Sequence, residues 1–146
     1  MSEIAGEREI ELAAPLERVL SALLDVEGYP AWQSDVKRAE VLERDDQGRP
    51  LLAEVVQDAK VREVRVRVRY EHDEQGFSWR SEDGDVKRLE GAYELDGAGS
   101  GTRVRYRLSV DPGGRLGLLL RGPIVDRVRN HVMDGTLTAL REHLDA

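Results

Sequence analysis

Residues 61–72 read VREVRVRVRYEH, and this stretch decides the fold of the chain. Apolar and charged side chains alternate along it, so that one face is apolar and the other is polar. The apolar set is Val64, Val66, Val68 and Tyr70, and the charged set is Glu63, Arg65, Arg67, Arg69 and Glu71. A period of two with one wet face is typical of an antiparallel strand that covers a core on one side. We therefore predict a half-buried strand here.

The same alternation recurs on either side of this stretch. Residues 102–110 repeat it, with Val104, Tyr106 and Leu108 inward and three arginines outward. Further strands are predicted at residues 7–13, 36–44, 51–60, 77–81 and 86–95. Segments rich in Asp, Gly and Gln, at residues 45–48, 73–76, 82–85 and 96–101, have the composition of turns.

Helical spacing appears in two places. Pro15 opens a helix with an apolar stripe from Leu16 to Leu24, and residues 29–32 read as a second short turn or helix. Everything after residue 115 reads as one long helix with a kink at Gly122-Pro123. Its predicted buried stripe is Val125, Val128, Val132, Ala139, Leu140 and Leu144.

A meander of single-faced strands must curl and cover its apolar face. Only the last helix is long enough to do this, at roughly 20 residues and 1.5 Å per residue. We therefore predict one α+β domain over residues 1–146. A curved antiparallel sheet of about seven strands wraps a long C-terminal helix, and two short helices follow strand 1.

Composition limits the function classes. The chain has 146 residues, a net charge of -7 and no cysteine. The negative charge argues against a nucleic-acid partner, and the lack of cysteine excludes disulfides, thiolate nucleophiles and cysteine metal sites. Residues 116–120 form the longest apolar stretch, which is too short for a membrane span. With no basic, apolar leader at the N-terminus, we expect a cytoplasmic protein without stable membrane insertion.

The arginine rows at positions 65, 67, 69 and 103, 105, 107 belong to the outward face of their strands. Acidic residues on other strands, among them Glu54, Asp58, Glu90 and Glu94, favour cross-strand ion pairs over a nucleic-acid stripe.

Four local motifs carry a family resemblance. They are APLERV at residues 14–19, DVEGYPAW at 25–32, Gly91 followed by GTRV at 101–104, and DPGG at 111–114. Together with the element order, they resemble the START-like superfamily and its helix-grip fold, known from the birch-pollen allergen. Within it, the chain is most similar to the polyketide cyclase/dehydrase group, which also resembles the coenzyme Q-binding proteins. The resemblance implies a cavity between sheet and helix that accepts lipids, polyketides or other hydrophobic molecules.

An enclosed face between sheet and helix predicts a small-molecule site. The candidate ligand-binding residues are Trp32, Val66, Val68, Tyr70, Phe77, Trp79, Tyr93, Tyr106, Val128, His131 and Val132. Core packing alone also explains each valine, and hydroxyls bonded to backbone or to one another explain the three tyrosines without a ligand. The resemblance places Trp32 near the cavity mouth, although the residue also suits a staple between the short helix and the sheet.

His131, Tyr70 and Tyr106 are the candidates for proton transfer. His131 lies on or beside the buried stripe of the long helix, where it is either a proton shuttle or a satisfied histidine at the edge of the core. Asp134, three residues later, could orient it. His72 and His143 are expected to be solvated. No third ligand accompanies His131 and Asp134, so we predict no metal site and no cofactor.

Two functions from different classes remain. The first is binding of a small hydrophobic molecule, such as a lipid, a polyketide or an isoprenoid-like compound, without catalysis. It is favoured because the sequence shows no nucleophile motif and no paired inward carboxylates. The alternative is a polyketide aromatase/cyclase or dehydratase acting on a bound polyketone in the same cavity. A third interpretation is a homodimeric module, in which residues 116–120 form the contact; that segment also suits a lid or a lip that touches a membrane.

Overall fold

Seven antiparallel strands and three α-helices make up the computed structural model, which describes residues 4–58, 62–114 and 122–145. The strands are β1 (Ile4–Leu12), β2 (Val36–Arg44), β3 (Pro50–Asp58), β4 (Glu63–His72), β5 (Gly76–Gly84), β6 (Arg88–Ala98) and β7 (Gly101–Asp111). The helices are α1 (Leu16–Leu24), α2 (Tyr29–Trp32) and α3 (Pro123–Asp145), with a 3-10 turn at Val26–Gly28. The predicted helix-grip architecture is confirmed.

The strands form one sheet in the order β1-β7-β6-β5-β4-β3-β2. The register sets the inward rows of side chains. Tyr70 lies opposite Trp79, Trp79 opposite Gly91, and Gly91 opposite Leu108. Since side chains directly opposite each other share a face, this row crosses four strands on the side that faces α3.

The end of β5 differs from the prediction. Residues 82–85 were predicted as a turn, but pairing continues through Asp83 opposite Arg67 and Gly84 opposite Val66. Gly84 has φ +135°, and a Cβ there would lie 2.3 Å from the carbonyl oxygen of Arg65. Acidic residues next to a glycine are typical of turns. Here they lie on a bulged strand and pair with outward arginines.

Helix α3 packs mainly through its C-terminal half. Its buried residues are Met133, Leu137, Leu140 and Leu144, whereas Val125, Val128, Val132 and Ala139 are only partly buried. The predicted buried stripe therefore did not include Met133 and Leu137, because it was assigned from the spacing of the valines. The predicted helical start after residue 115, and with it residues 116–120, lies outside the described residues.

The junction between β1 and α1 is held by Thr102, the only buried polar residue of the described chain. Its hydroxyl donates a 2.8 Å hydrogen bond to the carbonyl oxygen of Ala14. A buried carbonyl that lost this donor would cost about 1–3 kcal/mol. One side chain of β7 therefore fixes the turn between β1 and α1.

The outward face carries the predicted cross-strand ion pairs. Arg67 lies 3.0 Å from Glu54, and Arg107 lies 2.7 Å from Glu94. The hydrogen bond from Arg67 lowers the pKa of Glu54, and nearby Arg65 adds to the effect. The arginine rows are thus partnered within the sheet, which confirms the interpretation drawn from their alternation.

Candidate functional site

A cavity of about 240 Å³ lies between the concave face of the sheet and the first half of α3. The sheet contributes valines and aromatic rings, and the helix contributes the short side chains of Val128, Val132, Gly135 and Ala139. The larger Met133, Leu137 and Leu140 alternate with these positions and are buried in the core beside the cavity. The cavity therefore opens where the helix carries small residues.

Ten of the eleven predicted binding residues line this cavity. They are Val66, Val68, Tyr70, Phe77, Trp79, Tyr93, Tyr106, Val128, His131 and Val132. Trp32 does not line the cavity. Its ring stacks on that of His143, with centroids 5.2 Å apart, and meets Tyr29 edge to face at 5.5 Å. Trp32 thus staples α2 to the end of α3, and a binding role for the other ten remains a prediction.

The central wall of the cavity is a run of aromatic rings. The Trp79 and Tyr93 centroids lie 5.2 Å apart, and Tyr93 stacks on Tyr106 at 4.8 Å. Gly91 makes this arrangement possible, because a Cβ at that position would lie 2.2 Å from Cζ2 of Trp79. The indole therefore lies flat across β6 instead of pointing into the cavity, as glycine inside a strand permits.

The four tyrosine hydroxyls of the chain differ in their partners. That of Tyr29 donates to the carbonyl oxygen of Leu23, and that of Tyr106 interacts with Thr136. Among the described residues, the hydroxyls of Tyr70 and Tyr93 make no hydrogen bond. The alternative in which the tyrosine hydroxyls bond to backbone or to one another is therefore not seen for Tyr70 and Tyr93 within the described residues.

Burial raises the pKa of all four tyrosines. For Tyr29 and Tyr93, neighbouring tyrosines add to the effect of burial, while hydrogen bonding with Thr136 partly offsets it for Tyr106. All four are hydroxyls rather than phenolates at neutral pH. Except for Tyr29, whose proton is donated to the carbonyl oxygen of Leu23, they can donate hydrogen bonds to a ligand, and none of them can act as a base.

The cavity mouth is polar. His131 Nε2 lies 2.8 Å from Oδ2 of Asp35, in the turn between α2 and β2, and both residues line the cavity. The backbone N–H of Asp58 donates to the carbonyl oxygen of Asp35 at 2.7 Å, which ties the end of β3 to the same turn. A histidine held by a carboxylate, and partly exposed, can exchange protons with solvent and cavity alike.

The partner predicted for His131 was wrong. Asp134 instead pairs with Arg8 at 2.9 Å, because its position on α3 faces β1 rather than the mouth. Of the other two histidines, which were expected to be solvated, His143 is exposed as expected and His72 is not. His72 is partly buried, with Nε2 2.6 Å from the carbonyl oxygen of Pro50, while His143 is exposed but stacked on Trp32.

The described residues, 4–58, 62–114 and 122–145, contain neither a cluster of metal-ligating side chains nor a membrane-spanning helix. Within them no three His, Asp or Glu side chains come together as metal ligands. No helix within the same ranges has the length and apolar character needed to span a bilayer.

Solved structures share this fold. A START superfamily protein from Mycobacterium smegmatis superposes with a TM-score of 0.85 at 19% identity, covering 97% of each chain. A protein from Thermus thermophilus gives 0.79 at 29% identity, covering 96% of this chain and 94% of the other. An aromatase/cyclase from Streptomyces sp. R1128 gives 0.70 at 17% identity, covering 98% and 94%. At 19% and 17% identity, the first and third show the fold alone.

Sequence comparison gives the family. A search of curated proteins found no match. The family model described as polyketide cyclase/dehydrase and lipid transport matches residues 12–135, which include six strands, the short helices and half of α3 in addition to the end of β1. Because that match covers most of the sequence, the chain belongs to the polyketide cyclase/dehydrase and lipid transport family.

Proposed function

We propose that the chain binds a small hydrophobic molecule in the cavity between the sheet and α3. The observation that carries the proposal is an enclosed, mainly apolar space with two tyrosine hydroxyls that have no partner among the described residues. Such a combination of apolar walls and a few polar groups is the usual form of a small-molecule site. Membership in a family whose description includes lipid transport supports the same function.

Copurification and direct binding test the proposal. Apolar molecules are extracted from the purified protein for mass spectrometry, and thermal unfolding is followed with and without an added apolar probe such as tetralin. A probe at about 100 times its Kd should stabilise the fold by about 2.7 kcal/mol. Val128→Phe, which fills the cavity, should abolish this gain. Thr138→Val, on the exposed face of the same helix, should keep it. Absence of both an extracted molecule and any probe binding refutes the proposal.

A polyketide cyclase or dehydratase is the second candidate, and the His131–Asp35 pair favours it. With Asp35 accepting from Nε2–H, Nδ1 of His131 carries the lone pair that could remove a proton from a carbon next to a ketone. Tyr70 and Tyr106, which remain protonated, would hold the ketone oxygens. Membership in a family whose description includes polyketide cyclase/dehydrase supports this alternative.

Turnover of polyketone substrates tests the catalytic alternative. His131→Gln and Asp35→Asn should lower the rate without loss of substrate binding, whereas Asp134→Asn, which affects the pair with Arg8, should not. Equal rates in all three variants and the parent protein would remove His131 from the mechanism.

A homodimer and a cytoplasmic location are two further predictions from the sequence. The homodimer through residues 116–120 rests on a segment outside the described residues, and the measured mass in solution tests it. The cytoplasmic location is tested by fractionation of the source cells.

A further inference from the structure

We infer that Tyr70 and Tyr93 form a hydrogen-bond donor subsite on the floor of the cavity, and that the ligand is a compact, uncharged ring compound with a carbonyl oxygen. This inference rests on the proposed binding function and narrows its ligand class.

The hydroxyls of Tyr70 and Tyr93 can donate to a ligand because they reach open space. Arg67 Nε, on the outer face of the sheet, is the one side-chain polar atom in the described part of the chain that is both fully enclosed and without a partner. The hydroxyl oxygens of Tyr70 and Tyr93 also lack a partner there, so they are not sealed within protein atoms. Since both residues line the cavity, the space they reach is the cavity itself. A ligand oxygen placed there would accept from them.

The distribution of charge excludes an anion on the floor. Among the described lining residues, the titratable side chains other than tyrosines are Asp35, Asp58 and His131, and each of these residues is partly or largely exposed. Tyr70 and Tyr93, by contrast, are only 6% and 4% exposed. A carboxylate next to them would lose its hydration with no cation beside it, which is unfavourable. A ketone accepts the same hydrogen bonds without that cost.

The volume limits the size of the ligand. A cavity of about 150 Å³ in a protein core holds one benzene ring, so a space of about 240 Å³ accommodates about ten non-hydrogen atoms, the size of two fused rings. One or two fused rings fit wholly within this space, whereas a long acyl chain or a sterol would extend through the mouth. The aromatic wall formed by Trp79, Tyr93 and Tyr106 also favours a ring compound, since contacts between aromatic rings add to its binding.

A matched pair of probes separates the hydrogen bonds from simple burial. Tetralin and 1-tetralone have the same ring skeleton, and only the second carries a carbonyl oxygen. Their affinities are measured by calorimetry for the parent chain, Tyr70→Phe, Tyr93→Phe and the double variant. A neutral hydrogen bond is worth about 0.5–1.5 kcal/mol, so each single variant should weaken 1-tetralone about 2- to 13-fold. Tetralin should bind all four proteins equally, and Trp32→Phe, outside the cavity, should change neither affinity.

The outcomes are distinct. Selective loss of 1-tetralone affinity in the Phe variants supports the subsite. Equal loss for both probes, or no loss for either, overturns it, because the hydroxyls would then make no specific bond. Tighter binding of tetralin-1-carboxylate than of 1-tetralone overturns the exclusion of anions. Binding of octadecanol but of neither ring probe overturns the size limit while leaving the proposed function intact. If no apolar probe binds at all, the proposed function itself fails, together with this inference.

Discussion

Alkaline pH is a direct test of the buried tyrosines. The chain has four tyrosines, and burial raises the pKa of each above its ordinary value of 10.0. In the unfolded chain the hydroxyls ionise near pH 10, whereas in the folded chain they keep their protons. The unfolded state therefore binds fewer protons above pH 10. It follows that stability is complete below pH 10 and falls as the pH rises.

The size of the effect follows from counting protons. Each tyrosine that ionises only in the unfolded chain removes about 1.4 kcal/mol of stability per pH unit. Four such residues remove about 5.5 kcal/mol per unit once the unfolded chain is fully ionised. A domain of ordinary stability, about 5–15 kcal/mol, should therefore unfold about one to three pH units above 10.

The assay follows tyrosinate absorbance and near-ultraviolet circular dichroism in the same samples. We expect the two signals to change together in one cooperative step. Urea titrations between neutral pH and the transition give the slope of stability with pH, and Tyr70→Phe should reduce that slope by about a quarter. A gradual rise of tyrosinate absorbance centred near pH 10, with the dichroism unchanged, would refute the burial of these hydroxyls.

Three further substitutions test other parts of the fold, and the first two have matched control variants. Thr102→Val should cost about 1–3 kcal/mol in urea unfolding, since a buried carbonyl loses its donor, while Thr102→Ser should keep most of the stability. Gly91→Ala should cost about 1–3 kcal/mol and weaken probe binding, because the Trp79 ring must move; Gly97→Ala, in open space on the same strand, should affect neither. Hydrogen bonding from its arginine partner lowers the pKa of Glu54, so its contribution is present above its ordinary 4.5 and is lost as the pH falls through the folded-state value. Glu54→Gln should accordingly flatten the acid limb of the stability profile, and an unchanged limb would contradict this.

Periodicity explains how far the sequence could predict the fold. A side chain on a strand lies on one of two faces, so the alternation from Val64 to Tyr70 assigned each residue to a face without any knowledge of the strand's neighbours. Seven of the ten candidate residues that line the cavity lie on strands and follow from the same rule, whereas Val128, His131 and Val132 follow from the helical spacing of α3. Trp32 does not lie where it was expected, because a residue in a short helix has no such two-way choice, and the packing of α3 decided its position.

The missed features depend on contacts between distant parts of the chain. Asp35 lies in a turn without periodicity, and its partner His131 is 96 residues away. The available signal for His131 pointed instead to Asp134, at helical spacing. Which tyrosine hydroxyls have partners depends on Thr136 and on the backbone at Leu23, and no spacing rule indicates either. The part that matters most for ligand choice was thus the part least accessible to the sequence.

The pairing of β1 with β7 has a consequence for synthesis of the chain. Ile4 lies opposite Val110 and Leu12 opposite Thr102, so the first of these seven strands to leave the ribosome bonds to the last of the seven. At about 5–20 residues per second, β1 waits roughly 5–20 seconds for a partner about a hundred residues behind it. During that interval it is an unpaired edge that other nascent chains could join. The glutamates at positions 7, 9 and 11 place a negative charge at every second residue, which should repel another copy of the same strand until β7 and its arginines arrive.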